Sequence, residues 1–159
     1  MQIQWGMNMD VNILIAESKE ASEINYILKS AFKKSFEKYR FCPAYEAEDS
    51  QISEWIIDSF AYKILVNGQL QGALFVVEKN KQECELSIIA INPEFQNMGI
   101  ASKAIILVEQ RHANTKIWTL QTPEKETGNM HLYEKLGYVK VGNEKVNEHL
   151  NLVNYRKEW

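Results

Sequence analysis

A six-residue stretch between two apolar segments has the character of a phosphate site. Gln96-Asn97-Met98-Gly99-Ile100-Ala101 follows the strand-like run 86–91 and opens a helix-like run over 102–112. A strand that turns through small residues into a helix leaves several backbone N–H groups unpaired and pointing in one direction, and such a group of amides binds anions. Gly99 lets the backbone take an unusual angle and lets a ligand come close. The stretch therefore predicts a diphosphate ligand.

Residues on either side of this stretch could act on protons. Glu85 lies eleven positions before Gln96, at the start of the preceding predicted strand. Asn129 and Tyr133 are four positions apart, so a helix carries both on one face. A carboxylate can accept a proton, and a phenol within hydrogen-bond reach can donate one. These residue types are suited to general acid–base chemistry beside the predicted phosphate site.

The elements that must position these residues follow the order β α α β β β α β α β β. The Asn67-Gly68 pair predicts a hairpin and hence antiparallel strands, whereas the strand–helix–strand units favour parallel pairing. We expect an α/β fold with a mixed central sheet and helices on both faces. Strands are predicted over 12–16, 62–66, 70–79, 85–92, 116–121, 138–146 and 150–157, and helices over 24–36, 50–60, 100–114 and 130–136.

Two motifs in this order resemble those of the GNAT-type N-acetyltransferase superfamily, which moves an acetyl group from acetyl-CoA to an amine. The first is Gln96-x-x-Gly99-x-Ala101, after its lead-in 92–95. The second is Asn129-x-x-x-Tyr133 followed by Leu136-Gly137-Tyr138. The order of elements fits from about Asn12 to the end. The resemblance implies a GNAT-like fold in a single domain over 11–159, preceded by a flexible extension over 1–10.

The resemblance also implies a role for each candidate residue. Tyr133 would stand near the thioester sulfur, and Glu85 occupies the position from which many members recruit a general base. The cofactor-binding set is Ile89, Ala90, Ile91, Gln96, Asn97, Met98, Gly99, Ile100, Ala101, Ser102 and Asn129. Within it, 89–91 would pair with the pantetheine arm like an added strand. Because Asn97 and Met98 carry no positive charge, where the family often has one, the pyrophosphate would be held by backbone N–H groups.

Several alternatives stay open at this stage. The leading function is an acetyl-CoA-dependent N-acetyltransferase in which a primary amine attacks directly in a ternary complex. A CoA or acyl-CoA sensor without catalysis is the alternative, and transfer of a longer acyl group is a third reading. The base is Glu85, or else Glu46, Glu48, Glu126 or water. The segment 39–59, which would wall the acceptor site, carries no signature, so the acceptor is a small-molecule or peptide amine of unspecified kind.

Length, charge and composition exclude several classes of protein and of partner. A chain of 159 residues fits one domain, and a net charge of −3 with a pI of about 5.7 argues against a nucleic-acid partner. The apolar runs are far shorter than the ~20 residues that span a bilayer, so no membrane partner is expected. Two cysteines cannot form a disulfide framework, which favours the cytoplasm. Since no metal-binding motif occurs, no metal is expected; a homodimer is compatible with this kind of protein.

Overall fold

The computed structural model of the protein describes residues 9–159, and its helices and strands follow the predicted order with one addition. The strands are β1 (Val11–Ile15), β2 (Phe60–Val66), β3 (Gln69–Asn80), β4 (Glu83–Ile91), β5 (Ile117–Pro123), β6 (Val139–Asn147) and β7 (Leu150–Glu158). The helices are α1 (Ala21–Tyr39), α2 (Pro43–Glu46), α3 (Asp49–Asp58), α4 (Ile100–Arg111) and α5 (Thr127–Lys135). Short 3-10 helices cover Ser18–Glu20 and Pro93–Phe95.

The seven strands form one mixed sheet in the order β1-β2-β3-β4-β5-β7-β6. Strands β4 and β5 pair in parallel, as the intervening helix α4 requires, and the other neighbours pair antiparallel. The Asn67-Gly68 hairpin is confirmed: both residues have positive φ, 51° and 83°, as a tight two-residue turn demands. The mixed sheet predicted from the sequence is therefore present.

Two apolar clusters place helices on both faces of the sheet, as predicted. On one face α1 and α3 bury residues such as Ile24, Leu28 and Ile52 against Phe75 of β3. On the other face α4 buries its apolar stripe beside Trp118 of β5, together with aromatic residues of α5 and β7. The alternation of side chains along each strand divides the two clusters. The sheet thus separates α1–α3 from α4 and α5.

The added element is α2, a single turn that the sequence analysis treated only as an interruption at Pro43. Pro43 is the first residue of α2, where its fixed φ suits a helix start and its missing N–H costs nothing. The turn packs beside the end of α1, which stops at Arg40 with φ of 60°. Four residues are too few for a periodic apolar pattern, so periodicity could not find this element.

Met9 and Asp10, the first two residues that the structure describes, contact the rest of the fold. Met9 is buried, and Asp10 exchanges two hydrogen bonds with Asn67, at 3.0 Å to the side chain and 2.8 Å to the backbone. Both belong to the predicted flexible extension over 1–10, whose residues 1–8 lie outside the described part. Among the helices of residues 9–159, none has the length and apolar character to cross a membrane.

Strands β4 and β5 diverge soon after they begin to pair. Their parallel register covers Glu83 to Leu86 against Ile117 to Leu120 and then stops. Beyond Leu86, β4 continues to Ile91 paired with β3, and β5 continues to Pro123 paired with β7. A register shift in β4 at Ser87, opposite the step from Phe75 to Val76, accompanies the divergence. The result is a wedge-shaped gap inside the sheet, with one free edge of β4 along it.

Candidate active site

A cavity of about 370 Å³ occupies this gap. Strand β4 contributes its residues 86–89 and β5 contributes 120–123, so the cavity lies where the two strands part. Helix α5 and strand β7 line it on one side, and α1, α2 and α3 line it on the other. A space that reaches both faces of a sheet can receive one ligand along the strand edge and a second from the opposite face.

The loop at the end of β4 has the geometry that the sequence predicted for a phosphate site. Gly99 is the N-cap of α4 with φ of 80°, and Asn97 also has a positive φ of 64°. The first helical hydrogen bond of α4 runs from the Lys103 amide to the Gly99 carbonyl, at 3.2 Å. The amides of 97–102 meet no acceptor within residues 9–159. They form a group of free donors at the positive end of a helix.

The loop is fastened to β4 by side chains. Gln96 Nε2 donates to the Ile91 carbonyl at 3.0 Å, and the Asn92 side chain accepts from the Glu94 amide at 3.1 Å while donating to Gln71. The Gln96 side chain is thus engaged within the protein, which makes it a positioning residue. Its backbone amide is engaged as well, donating to the Pro93 carbonyl at 3.3 Å, so the free amides begin at Asn97. Residues 96–102 do not line the cavity. The loop that they form begins five residues after the end of β4.

Asn129 and Tyr133 both line the cavity from α5, one helical turn apart, as their spacing predicted. Tyr133 is buried, with its ring edge-on to Tyr138 and Tyr155 at 6.4 and 6.1 Å between centroids. Burial raises the pKa of Tyr133 to about 12, so its phenol keeps its proton at neutral pH. Because Tyr133 lines the cavity, its protonated phenol can act as a hydrogen-bond donor there.

Of the remaining predicted residues, Ile89 lines the cavity, whereas Ala90, Ile91 and Glu85 do not. Ala90 and Ile91 still belong to the part of β4 whose only strand partner is β3. Glu85 pairs with Thr119 in the closed part of the sheet, and its carboxylate lies 4.0 Å from Lys79 Nζ. The structure therefore brings Ile89, Asn129 and Tyr133 together and leaves Glu85 below the gap.

The carboxylate that does line the cavity is Glu126, which precedes the first turn of α5. Its Oε2 accepts a hydrogen bond from the Tyr39 hydroxyl at 2.5 Å and from Lys38 Nζ at 3.2 Å. Burial and the neighbouring Glu126 carboxylate raise the pKa of Tyr39 well above its ordinary value. Tyr39 therefore remains a neutral donor, and Glu126 is held in a fixed position at the side of the cavity formed by the end of α1.

The sequence analysis named Glu126 as one of several alternative bases and treated Tyr39 as a packing aromatic. No local pattern joins them, because they are 87 residues apart and meet only when α1 and α5 approach from opposite sides of the sheet. Among residues 9–159, no group of three metal-binding side chains is present. Cys42 also lines the cavity, and burial raises the pKa of its thiol.

Comparison with known protein families gives one match. The model of the acetyltransferase (GNAT) family matches residues 24–138, a span that runs from α1 through α5 and contains the β4–β5 gap, the loop 96–102 and Tyr133. A search of curated protein sequences found no match.

Solved structures with the same fold are numerous, at low sequence identity. The ribosomal-protein-S18-alanine N-acetyltransferase from Escherichia coli has a TM-score of 0.76 at 13% identity, with 94% of each chain covered. A chimeric spermidine N-acetyltransferase from Vibrio cholerae and hSSAT has 0.75 at 18%, covering 93% of this chain and 95% of that one. The yncA protein of Salmonella typhimurium, solved with its cofactor acetyl-CoA, has 0.73 at 13%, with 94% of each covered.

Proposed function

We propose that this chain, which belongs to the acetyltransferase (GNAT) family, transfers an acetyl group from acetyl-CoA to a primary amine by direct attack within a ternary complex. The observation that carries the proposal is the cavity in the β4–β5 gap, which joins a free strand edge to a protonated phenol and a carboxylate. Related folds with acetyl-CoA bound, and with amine acceptors in their names, support the same reading.

The residues present fit acetyl-CoA along its length. The free amides of 97–102 suit the pyrophosphate, because they form a donor group at a helix N-terminus. The unpaired edge of β4 over 87–91 suits the amides of the pantetheine arm, which can hydrogen-bond as a strand does. Asn129, exposed on α5 and 3.4 Å from the Thr122 hydroxyl, can turn its amide to the same arm. Lys103, exposed in the first turn of α4, supplies a positive charge beside the loop.

The proposed chemistry follows from which groups carry a proton at neutral pH. A lysine-type amine has a pKa of ~10.4 and an α-amine ~8, so at neutral pH the attacking nitrogen must lose a proton. When the nitrogen attacks the thioester carbonyl, the new C–N bond forms, the C–S bond breaks and the sulfur leaves as thiolate. We assign the proton for that sulfur to Tyr133, because its protonated phenol lines the cavity. Because the thioester is already activated, no covalent enzyme intermediate is required.

We assign the proton from the amine to Glu126, directly or through one water, because it is the carboxylate among the described residues that lines the cavity. A role for Glu85 stays a prediction from the resemblance; its carboxylate lies 4.0 Å from Lys79 Nζ, and Glu85 does not line the cavity. Comparing Glu126→Gln with Glu85→Gln separates the two assignments.

The proposal is tested by thiol release from acetyl-CoA with the purified chain and a panel of primary amines, each product identified by mass spectrometry. An acetylated amine, formed at a rate that depends on the protein, is the expected result. Tight CoA binding without transfer to any amine would instead support the sensor reading. Release with butyryl-CoA at the same rate as with acetyl-CoA would show that the acyl group is not limited to acetyl.

A further inference from the structure

The part of the cavity on the α1–α3 side of the sheet has a distinct chemical character. We call it the α1–α3 lobe; it is lined by Phe32, Tyr39, Phe41, Pro43, Trp55 and Ile88. Aromatic rings and aliphatic groups make up most of its wall, and Ser35 and Cys42 add a hydroxyl and a thiol on the same side. Since the free donors of 97–102 and the phenol of Tyr133 lie with α4 and α5 on the other face, this lobe is the space left for the acceptor.

Several of these aromatic side chains are only partly buried by the rest of the protein. Phe41 is 43% exposed, although it lies against the cavity, and Phe32 and Trp55 are half-buried. By contrast, Tyr45 on the neighbouring turn is stacked on Phe36 with 5.0 Å between centroids and lies away from the cavity. Apolar surface that stays partly open inside a concave site gains free energy when a ligand covers it. The lobe is suited to an apolar body.

The charge of the lobe is limited to one group. Among the described residues that line the cavity, Glu126 is the charged one. Its Oε2 is already engaged by Tyr39 and Lys38, which leaves Oε1 without a hydrogen bond to the described residues. A second space of about 180 Å³ adjoins the cavity at Tyr39 and Leu150, and its lining carries two carboxylates, Glu124 and Glu148, beside two lysines, Lys125 and Lys145. A polycationic amine needs several unmatched carboxylates along its length, and neither space offers them.

We infer that the acceptor is a small primary monoamine whose ammonium group meets Glu126 and whose apolar or aromatic body packs against Phe32, Phe41 and Trp55. The inference rests on the proposed acetyl transfer and names its substrate class. The size of the cavity supports a small molecule, because 370 Å³ is near the lower end of the ~300–1,000 Å³ typical of ligand sites and must also receive the thioester. The Tyr39 hydroxyl holds Glu126 at the entrance of the lobe, so the charge and the apolar wall act on the same molecule.

The first test measures kcat/KM with saturating acetyl-CoA for 2-phenylethylamine, ethanolamine, spermidine and a tripeptide with N-terminal Phe. Covering the aromatic body is expected to favour 2-phenylethylamine over ethanolamine by about 30-fold or more, and over spermidine by about tenfold or more. Equal or better use of ethanolamine or spermidine would overturn the inference. Better use of the tripeptide would overturn its restriction to small molecules.

The second test measures binding of the same amines to the protein saturated with CoA, by calorimetry. It decides the acceptor class even if no amine is acetylated, so failure of the proposed reaction and failure of this inference are told apart. We expect Phe41→Ala to reduce the preference for 2-phenylethylamine over ethanolamine by about fivefold, with Trp55→Ala as a second variant. Tyr26→Ala is the control, because Tyr26 is a 72% exposed aromatic residue of α1 outside the cavity. A preference unchanged in both Phe41→Ala and Trp55→Ala contradicts the assigned wall.

Discussion

The two parts of the candidate site, the loop and strand edge on the α4 side and the cavity wall on the α1–α3 side, are built by different means. On the α4 side, the ligand groups are backbone amides of 97–102 and the free edge of β4, fixed by Gly99 and by the Gln96 side chain. On the α1–α3 side, the groups are side chains of α1, α2 and α3, together with Glu126, which precedes α5 and contacts the end of α1. The first construction suits a ligand that is the same for a whole family. The second can be altered one side chain at a time, which suits a variable acceptor.

The largest effect is expected at the carboxylate of the side-chain side. Glu126→Gln removes the proton acceptor and keeps the shape of the Tyr39 contact, so kcat/KM is expected to fall by ~10²-fold or more. Glu85→Gln is the matched variant, and its loss should be at least about tenfold smaller, because its carboxylate lies beside Lys79. Steady-state rates at pH 7 with one amine check both. The opposite ranking would return the role of base to Glu85.

Substitution of Gly99 by valine tests the backbone amides on the α4 side. Gly99 has φ of 80° and open space around its Cβ position, so valine there is strained by its backbone angle and not by a clash, at a cost of ~1–3 kcal/mol. If the loop relaxes to relieve that strain, the amides turn away and the Kd for CoA rises by about 30-fold, measured by calorimetry.

Gly68→Val is the control for this change. Gly68 has φ of 83°, equally open surroundings and no place in the cavity lining. The strain should lower the melting temperature of both variants, whereas CoA affinity should fall in Gly99→Val alone. Equal CoA affinity in the two variants contradicts the backbone site.

Tyr133 joins the two sides, and its loss is expected to be smaller. Tyr133→Phe should lower kcat by ~10-fold while KM for acetyl-CoA changes little, because water can replace the donor. Tyr45→Phe, on a ring away from the cavity, is the control.

The pH profile gives an independent check. The pKa of Tyr133 is raised to about 12, so its acid form persists below that pH. The wild-type rate should therefore rise as the amine deprotonates and should not fall between pH 8 and 10. A fall in that range that Tyr133→Phe abolishes would contradict the assignment.

The smallest effect is expected at Gly72 of β3, which pairs with β4 on the edge opposite its free edge. A Cβ there would lie 2.6 Å from the Ala90 carbonyl oxygen, so Gly72→Ala must shift backbone at a cost of ~1–3 kcal/mol. The melting temperature should fall by about 5 °C, as measured by circular dichroism, with CoA affinity reduced only a few-fold. Gly142→Ala on edge strand β6, where the nearest atom is a side chain at 3.7 Å, is the control. Equal melting temperatures would show that β3 and β4 do not need glycine at this contact.

The sequence alone was sufficient to predict the features that depend on residues close together in the chain. The apolar periods and the Asn67-Gly68 turn predicted the order of elements and the mixed sheet, and four-residue spacing placed Asn129 and Tyr133 on one face of α5. The loop 96–101 could be predicted as a strand-to-helix turn because a positive φ at Gly99 is a local property. These are short-range consequences of residue type.

Only the tertiary structure decided which distant groups share the cavity. The sequence predicts Glu85 as the base from its position at the start of the strand that leads to Gln96, and the structure adds that β4 and β5 are still paired there and that Glu85 does not line the cavity. Glu126 and Tyr39 meet because α1 and α5 approach across the point where the strands diverge. That contact depends on where the ladder ends, which is set by packing on both faces of the sheet and leaves no mark in the local sequence.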